Sequence, residues 1–509
     1  MGVVVRQSIK GTLMTYVGVC IGFVTTFFIV TEFLSVEEVG LAKVLVDSSI
    51  LLSGLAQLGT NTSAMRYYPF FKDSERHDNG FFGWTLIVPL IGFLIFGSLF
   101  LLFQEPLSVH FSKESPLFVN YMYFVLPMSF FMLYLTVFET NSNLLLRIVV
   151  PKFIREVGIR LMTMAAYLLY AFAVVDLDGM VLCLCGTYLV ATLCNVAYLF
   201  FLKRVSFKIN LSFIKPQLRR DFLLYTLFLV VSSLTTIIAP LLNTFFISIK
   251  MGLAFTGIYT IAQYIANMIE IPYRSLGAIS RPHISQALKD NDLASAEKLS
   301  KSVSLHQFLA SAFIFFLIWI NIDAFYAVLP NGSTYENGKW VFFILALCKV
   351  LNSSLTIDTT VLSYSKYYYW SLLFTAILTV SAIWLNIRLI PQWGMVGAAL
   401  ASLTAYVVYF ALVVSFVKWR IGVRVLSIPM LKVLIIIAVL FICNDFIVVF
   451  SDGRIAGMFK NNIVGIIFDS AVRTVLVGGV GIAAVYFWNV STYVNNMINR
   501  LIFKINREK

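Results

Sequence analysis

Apolar runs of about twenty residues recur along the whole of this chain, and a run of that length is what an α-helix needs to cross the hydrocarbon layer of a bilayer. They lie near residues 10–31, 37–60, 82–103, 119–140, 155–176 and 180–202, and again, after a basic connector, near 221–246, 252–272, 304–328, 339–363, 368–389 and 394–417. Two more, near 430–449 and 470–488, bring the number to fourteen. Inside hydrocarbon every backbone N–H and C=O must find a partner within the protein, which makes the helix the spanning element for this pattern. A soluble globule fails on composition: with 60% hydrophobic and 12% charged residues and a mean hydropathy of +0.87, the 509 residues cannot supply the polar surface such a globule exposes. The expected fold class is an all-α integral membrane protein with about fourteen transmembrane helices.

The placement of Lys and Arg tests that number, because an error of one helix would scramble the two sides. Of the 38, 29 fall on the side of the N-terminus and six (Lys113, Lys250, Lys339, Arg388, Arg454 and Lys460) on the other, while Lys43, Lys349 and Arg473 lie within or at the edge of apolar runs. Both termini are therefore expected in the cytoplasm. The net charge of +13 reads as attraction to the cytoplasmic leaflet rather than to nucleic acid. Arg6 and Lys10 precede a first run too long for a signal-peptide core, with no small-residue cleavage pattern after it, so that segment is expected to be kept. The connector Lys203 to Arg220, with Lys208, Lys215 and Arg219, divides the chain into a six-helix lobe over 1–210, a second, pseudo-symmetric six-helix lobe over 211–420, and two additional helices with a basic cytoplasmic tail over 421–509. The other long cytoplasmic segment, Arg274 to Ser302, reads as an amphipathic helix in which DNDLASAEKL offers an Asp cap. No loop is long enough for a catalytic domain, so no catalytic residue is assigned and the machinery must lie in or between the helices.

One stretch repeats. VEEVGLAKVLVDSSILLSGLAQLGTNTSAMRYYPFFKD, from Val36 to Asp73, starts as an acidic cap, runs as an apolar helix carrying Lys43 and Asp47, and leaves through a basic, Tyr-rich exit around Arg66. FTGIYTIAQYIANMIEIPYRSLGAISRPHISQALKD, from Phe255 to Asp290, follows the same order. At a constant offset of 217, Gly40 meets Gly257, Ser63 meets Ser280, and Lys72-Asp73 meets Lys289-Asp290. Each stretch is the second apolar segment of its half.

Several apparent signatures fail on context. Gly332 to Lys339 imitates a phosphate loop, but the glycine spacing is one residue too long, Trp340 stands where Ser or Thr is needed, and the segment lies on the non-cytoplasmic side. Gly479-Val-Gly481-Ile-Ala-Ala484 imitates a dinucleotide fingerprint inside the last apolar helix, where small residues instead permit close helix contact, as do Gly18 and Gly22. Asp176-Leu-Asp178 is a tight external turn with no domain to hold a nucleotide sugar. Four His and six Cys show no metal-ligand spacing, and Cys183, Cys185 and Cys194 share one apolar segment as packing residues.

Ionisable residues inside the membrane carry more information, because leaving one in lipid costs at least about 2.5 kcal/mol. Lys43 and Asp47, four apart, share a helical face and can neutralise each other. Lys349 has no acid three or four residues away, and Asp358, nine residues on, is about two and a half turns distant. Its ammonium either points into a wet cavity or pairs with Asp358, Asp47 or another helix's acid. Glu139 and Glu270 sit near the cytoplasmic ends of the fourth and eighth helices, where they reach the interface, close a gate or hold a coupling cation. Arg66 and Arg274 leave the two repeated helices at that same face, as positive-inside topology alone would place them.

Two six-helix halves, a repeated second helix that begins at VG or TG and ends in a basic exit, and two extra C-terminal helices resemble the polysaccharide or lipid-linked oligosaccharide flippases of the multidrug/oligosaccharidyl-lipid/polysaccharide (MOP) exporter superfamily. The resemblance covers most of the chain and is strongest over EEVGLAKVLVDSSILLSGLAQLGTNTSAMRYYP and TGIYTIAQYIANMIEIPYRSLGAISRPHISQAL. It implies a V-shaped pair of lobes around a central cavity, a bacterial inner-membrane location, and alternating access driven by an ion gradient or the membrane potential. It also implies an undecaprenyl-pyrophosphate-linked saccharide as substrate, moved from the inner to the outer leaflet for a cell-surface polysaccharide such as the O-antigen of lipopolysaccharide. Peptidoglycan-precursor flippases of the superfamily have an Arg-rich cavity; this sequence offers chiefly Lys43 and Lys349. On this basis Lys43, Lys349, Arg66 and Arg274 are the candidate substrate-binding residues, and Asp47, Glu139, Glu270 and Asp358 the candidates for gating or for coupling to sodium or protons. No cofactor or metal is expected, and the partners are the lipid-linked glycan, membrane lipids and polysaccharide polymerases. Two alternatives stay open: a multidrug cation exporter of the same superfamily, which would want acidic and aromatic groups at its site, and a multispanning glycan polymerase or glycosyltransferase, which would need a catalytic acid or Arg on a substantial external loop.

Overall fold

A computed structural model describes residues 2–71, 77–202, 230, 237–451 and 462–507; the connector Lys203 to Arg220 and the pair Lys72-Asp73 lie outside the described residues. Regular structure among the described residues is helical throughout. Nine of these helices are long and apolar enough to cross a membrane, and two shorter apolar ones accompany them, Ile237–Lys250 and Ile428–Asn444. The longest, Tyr369–Ile421, is two helices in series. Pro391 removes one backbone donor, and Gly394 follows at φ 56 and ψ −136, a conformation an L side chain resists, so the chain turns back there. That bend falls between the two apolar runs that the sequence separates at 389 and 394. The protein is thus an all-helical, multi-pass membrane protein.

The chain forms two compact units, Met1–Thr260 and Ile261–Lys509, and the boundary falls inside the helix Leu253–Asn267. In the first unit the helix Val36–Ala56 is the hub. Ser35 starts it through a reciprocal capping box: Glu38 N donates to Ser35 Oγ at 3.3 Å and Ser35 N donates to Glu38 Oε2 at 2.8 Å. Glu38 also accepts the Tyr170 hydroxyl at 2.6 Å, which ties the cap to the helix Ile159–Ala171. Downstream, Leu41, Val44 and Leu45 are buried against Phe118, Met122 and Val125, and Ser49 Oγ donates to its own helix at Leu45 O, 2.8 Å. Lipid tails are as apolar as leucine, so close packing rather than exclusion of water holds such helices together, and glycine earns its place by letting backbones approach. A Cβ on Gly40 would overlap the carbonyl oxygen of Leu253, and a Cβ on Gly257 would overlap that of Val36. The two encounters are reciprocal at the same offset of 217 residues that relates the repeated stretches.

In the second unit the helix Lys339–Tyr364 packs against both Leu293–Ile320 and Tyr369–Phe416. Aromatic contacts fill the seams, with Trp319 and Phe343 ring centroids 4.6 Å apart and Phe316 edge-on to Phe441 at 5.2 Å. Asp292 caps Leu293–Ile320 by accepting from Ser295 N at 2.9 Å, so the DNDLASAEKL stretch opens a helix long and apolar enough to cross a membrane, and the single amphipathic helix expected over 274–302 is instead split between Ile271–Lys289 and the start of this one. The packing expected of the small residues holds at Gly18, where a Cβ would overlap Glu156 O, and at Gly481, where it would press on Phe313 and Leu440. Gly479 has nothing within 4 Å.

Candidate functional site

Each unit buries a lysine–carboxylate pair. In the first, Lys43 Nζ donates to Asp47 Oδ1 at 2.9 Å, one turn along the same helix. The Asp47 side chain is 2% exposed and that of Lys43 15%. Asp47 Oδ2 accepts no hydrogen bond. Removing one member of a buried pair costs about 3–5 kcal/mol, because the other charge is left in a low-dielectric site. Lys43 therefore neutralises Asp47 inside the helix packing, as the four-residue spacing suggests.

The second pair joins residues from different helices. Lys349, midway along Lys339–Tyr364, donates to Glu270 Oε1 at 2.7 Å. Glu270 is nearly enclosed, at 6%, while Lys349 keeps 24% of its side chain open. Glu270 ends a 3₁₀ turn, Met268–Glu270, that separates the helices Leu253–Asn267 and Ile271–Lys289. Pro272 accounts for the break, because a proline has no N–H to donate to the carbonyl four residues back, that of Met268. Side chains of the neighbouring helix Leu293–Ile320 satisfy carbonyls on either side of the break. Ser311 Oγ donates to Ile269 O and Gln307 Nε2 to Tyr273 O, both at 3.3 Å. Asn352 Nδ2 donates to the Tyr273 hydroxyl at 3.4 Å, and Tyr406 stands within electrostatic reach of Glu270 and Tyr273. Glu270 thus sits on an interrupted helix whose polar backbone is supported from the side, with a partly open ammonium before it. Short 3₁₀ interruptions of this kind often mark hinges.

The other expected residues fall in several places. Glu139 on Val125–Leu144 pairs with Arg155 of the π-helical turn Ile154–Gly158, and Arg155 Nη2 also donates to Thr136 Oγ1 at 3.0 Å. Asp358 lies on the same helix as Lys349 but not beside it; it is 1% exposed and, among the described residues, makes no ion pair and has no hydrogen-bond donor for its Oδ2. Arg66, on Thr60–Phe71, is exposed and lies 5.7 Å from the Tyr67 ring centroid. Arg274 stands on Ile271–Lys289, and its side chain lies outside the described residues. Arg473, the third cation at an apolar run, pairs with Asp469 at 2.7 Å on its own helix. The acidic turn is accounted for structurally: Asp176 caps Leu177–Phe201 through Gly179 N at 2.8 Å, and Asp178 accepts the Tyr121 hydroxyl.

The family model described as polysaccharide biosynthesis protein matches residues 4–288, more than half of the chain. The chain belongs to that family. No curated protein sequence matches the chain, but solved structures do. It is similar to the lipid II flippase MurJ in its inward closed conformation, with a TM-score of 0.71 at 12% identity over 95% of this chain and 100% of that one. It is similar also to a multidrug resistance MATE family transporter of the MOP superfamily, inward-facing, with a TM-score of 0.63 at 15% identity over 80% of this chain and 94% of that one. The outward-facing form of such a transporter gives 0.56 at 16% identity, over 82% and 95%. Likeness at these identities is likeness of fold, and the fold is that of MOP superfamily transporters, as expected from the repeated stretches.

Nothing in the sequence announces Arg155 as the partner of Glu139, or Tyr273, Asn352 and Tyr406 as neighbours of Glu270. Pro272, two residues after Glu270, was the available signal that the helix breaks beside an acid.

Proposed function

We propose that this protein flips an undecaprenyl-pyrophosphate-linked oligosaccharide from the cytoplasmic to the outer leaflet of the bacterial inner membrane, by alternating access and without covalent chemistry. The observation that carries the proposal is the Lys349–Glu270 pair, an intramembrane ammonium that is partly open and held by a carboxylate on a broken helix. A sugar-diphosphate head cannot enter hydrocarbon with its charges and hydroxyls bare, whereas its polyprenyl tail can stay in lipid. The diphosphate and Glu270 compete for one ammonium. Two unit charges 4 Å apart attract by about 4 kcal/mol at an effective dielectric of 20, so a ligand carrying more than one negative charge outbids a single carboxylate. Loading then releases Glu270 on its interrupted helix, and unloading restores the pair and resets the site. Lys43, Arg66 and Arg274 are the further cationic contacts along the head's route.

The same proposal takes residues 1–210 and 211–420 as two related lobes within fourteen crossings, with both termini cytoplasmic. The split of 29 against six loop cations and the reciprocal packing of Gly40 and Gly257 support it. Asp358, with Asp47 and Glu139, serves coupling to sodium or protons, and polysaccharide polymerases act on the product outside. The unpartnered oxygen of buried Asp358 also favours a second reading, export of an organic cation. Proteoliposomes holding the purified protein separate the two. A leaflet-resolved assay should show translocation of undecaprenyl-diphosphate-linked glycan, chemically unaltered, and no gradient-driven transport of a cationic dye. Dye transport without glycan flipping would establish the cation exporter, and a covalently changed glycan would establish an enzyme.

A further inference from the structure

The last described helix, Thr492–Arg507, follows the membrane helix Asn462–Phe487 after a short turn in which Asn489 takes a positive φ of 49. Its start is fixed to the second unit. Ser491 Oγ accepts from Val494 N at 3.4 Å and lies 2.9 Å from His306 Nε2, and the Tyr493 ring meets His306 edge-on at 5.5 Å. Two asparagines point inward: Asn495 Nδ2 donates to Tyr486 O at 3.0 Å, and the Tyr486 hydroxyl donates to Asn499 Oδ1 at 2.8 Å. At 100° per residue, positions 493 and 497 fall on the opposite side from 495 and 499. Those residues, Tyr493 and Met497, are 70% and 55% exposed. The outward face therefore combines Tyr493 and Met497 with Asn496 and Arg500, which are also exposed, while Val494 and Ile498 are half-buried beside Asn495 and Asn499. The sequence from 492 to 507 contains Arg500, Lys504 and Arg507 and no acid, and positions 500, 504 and 507 fall within about 40° of position 493 around the helix.

We propose that Thr492–Arg507 is an interfacial helix that lies on the membrane leaflet at the side of the C-terminus and binds anionic phospholipid headgroups. Two facts select a lipid surface over a protein partner. The helix leaves a membrane-crossing helix with too short a turn to move far from the bilayer surface, and its basic positions share the outward face with an exposed tyrosine and methionine, a combination of charge and apolar surface that suits an anionic leaflet. Through Tyr486 and His306 the bound helix would hold the end of Asn462–Phe487 and the middle of Leu293–Ile320 at the headgroup level.

Hydrogen exchange on the full-length protein in nanodiscs tests this, comparing phosphatidylcholine alone with a mixture one third phosphatidylglycerol. In the anionic discs the amides of 492–507 should exchange several-fold more slowly. The triple variant Arg500→Glu, Lys504→Glu, Arg507→Glu should abolish the difference, while exchange in 462–487 stays unchanged. Equal exchange of the wild-type segment in the two lipids would overturn the proposal and leave the helix resting on protein, its own or a second copy's. If the triple variant unfolds, shown by fast exchange in 462–487, the wild-type comparison between lipids decides alone.

Discussion

Lys349 and Glu270 are 79 residues apart, and nothing in the spacing of either announces the other. Lys43 and Asp47 are legible because a separation of four puts two side chains on one helical face; Glu139 with Arg155 and Lys349 with Glu270 are not, because pairing across helices depends on packing that leaves no period in the sequence. What the sequence does contain for Lys349 is the absence of a local acid, which correctly marks a charge that must be answered from elsewhere. Replacing Lys349 by Gln leaves Glu270 buried without its ammonium, so this variant should be less stable by about 3–5 kcal/mol. The double variant Lys349→Gln, Glu270→Gln should recover most of that loss in a thermal unfolding assay, because it removes both charges. Asp358 behaves differently, since no ammonium depends on it. Asp358→Asn should fold normally and lose the dependence of transport on an imposed sodium or proton gradient; unchanged gradient dependence would remove Asp358 from coupling.

At the scale of the element, the repeated second helix carries the clearest link from sequence to packing. The 217-residue offset visible in Gly40 and Gly257 returns as two backbone encounters, Gly40 on Leu253 and Gly257 on Val36. Gly40→Ala and Gly257→Ala should each destabilise the protein by about 1–3 kcal/mol, since a methyl has no room against a carbonyl oxygen. The double variant should cost less than the two together, because a single shift of the helices relieves both clashes. Additive losses in thermal unfolding would show that the two encounters are independent. Helix ends were less legible. The Met268–Glu270 interruption needs Pro272 to be weighed together with side-chain support from Ser311 and Gln307, and those two residues are recruited from another helix.

At the scale of the whole molecule, apolar run length and cation asymmetry were enough for the fold class, because a bilayer allows a chain of this composition few other structures. Tags at the two termini and a reporter in the 331–338 loop should report opposite sides of the membrane, with the termini together; termini on opposite sides would break the fourteen-crossing scheme. The central claim is that one ammonium passes between a carboxylate of the protein and the diphosphate of its substrate. Leaflet-resolved flipping of an undecaprenyl-diphosphate-linked glycan, measured in proteoliposomes for the wild type and for Lys349→Gln, Glu270→Gln, tests it most directly. The wild type should translocate the glycan, and the folded double variant should bind and move almost none. Flipping at the wild-type rate by that double variant would contradict the claim.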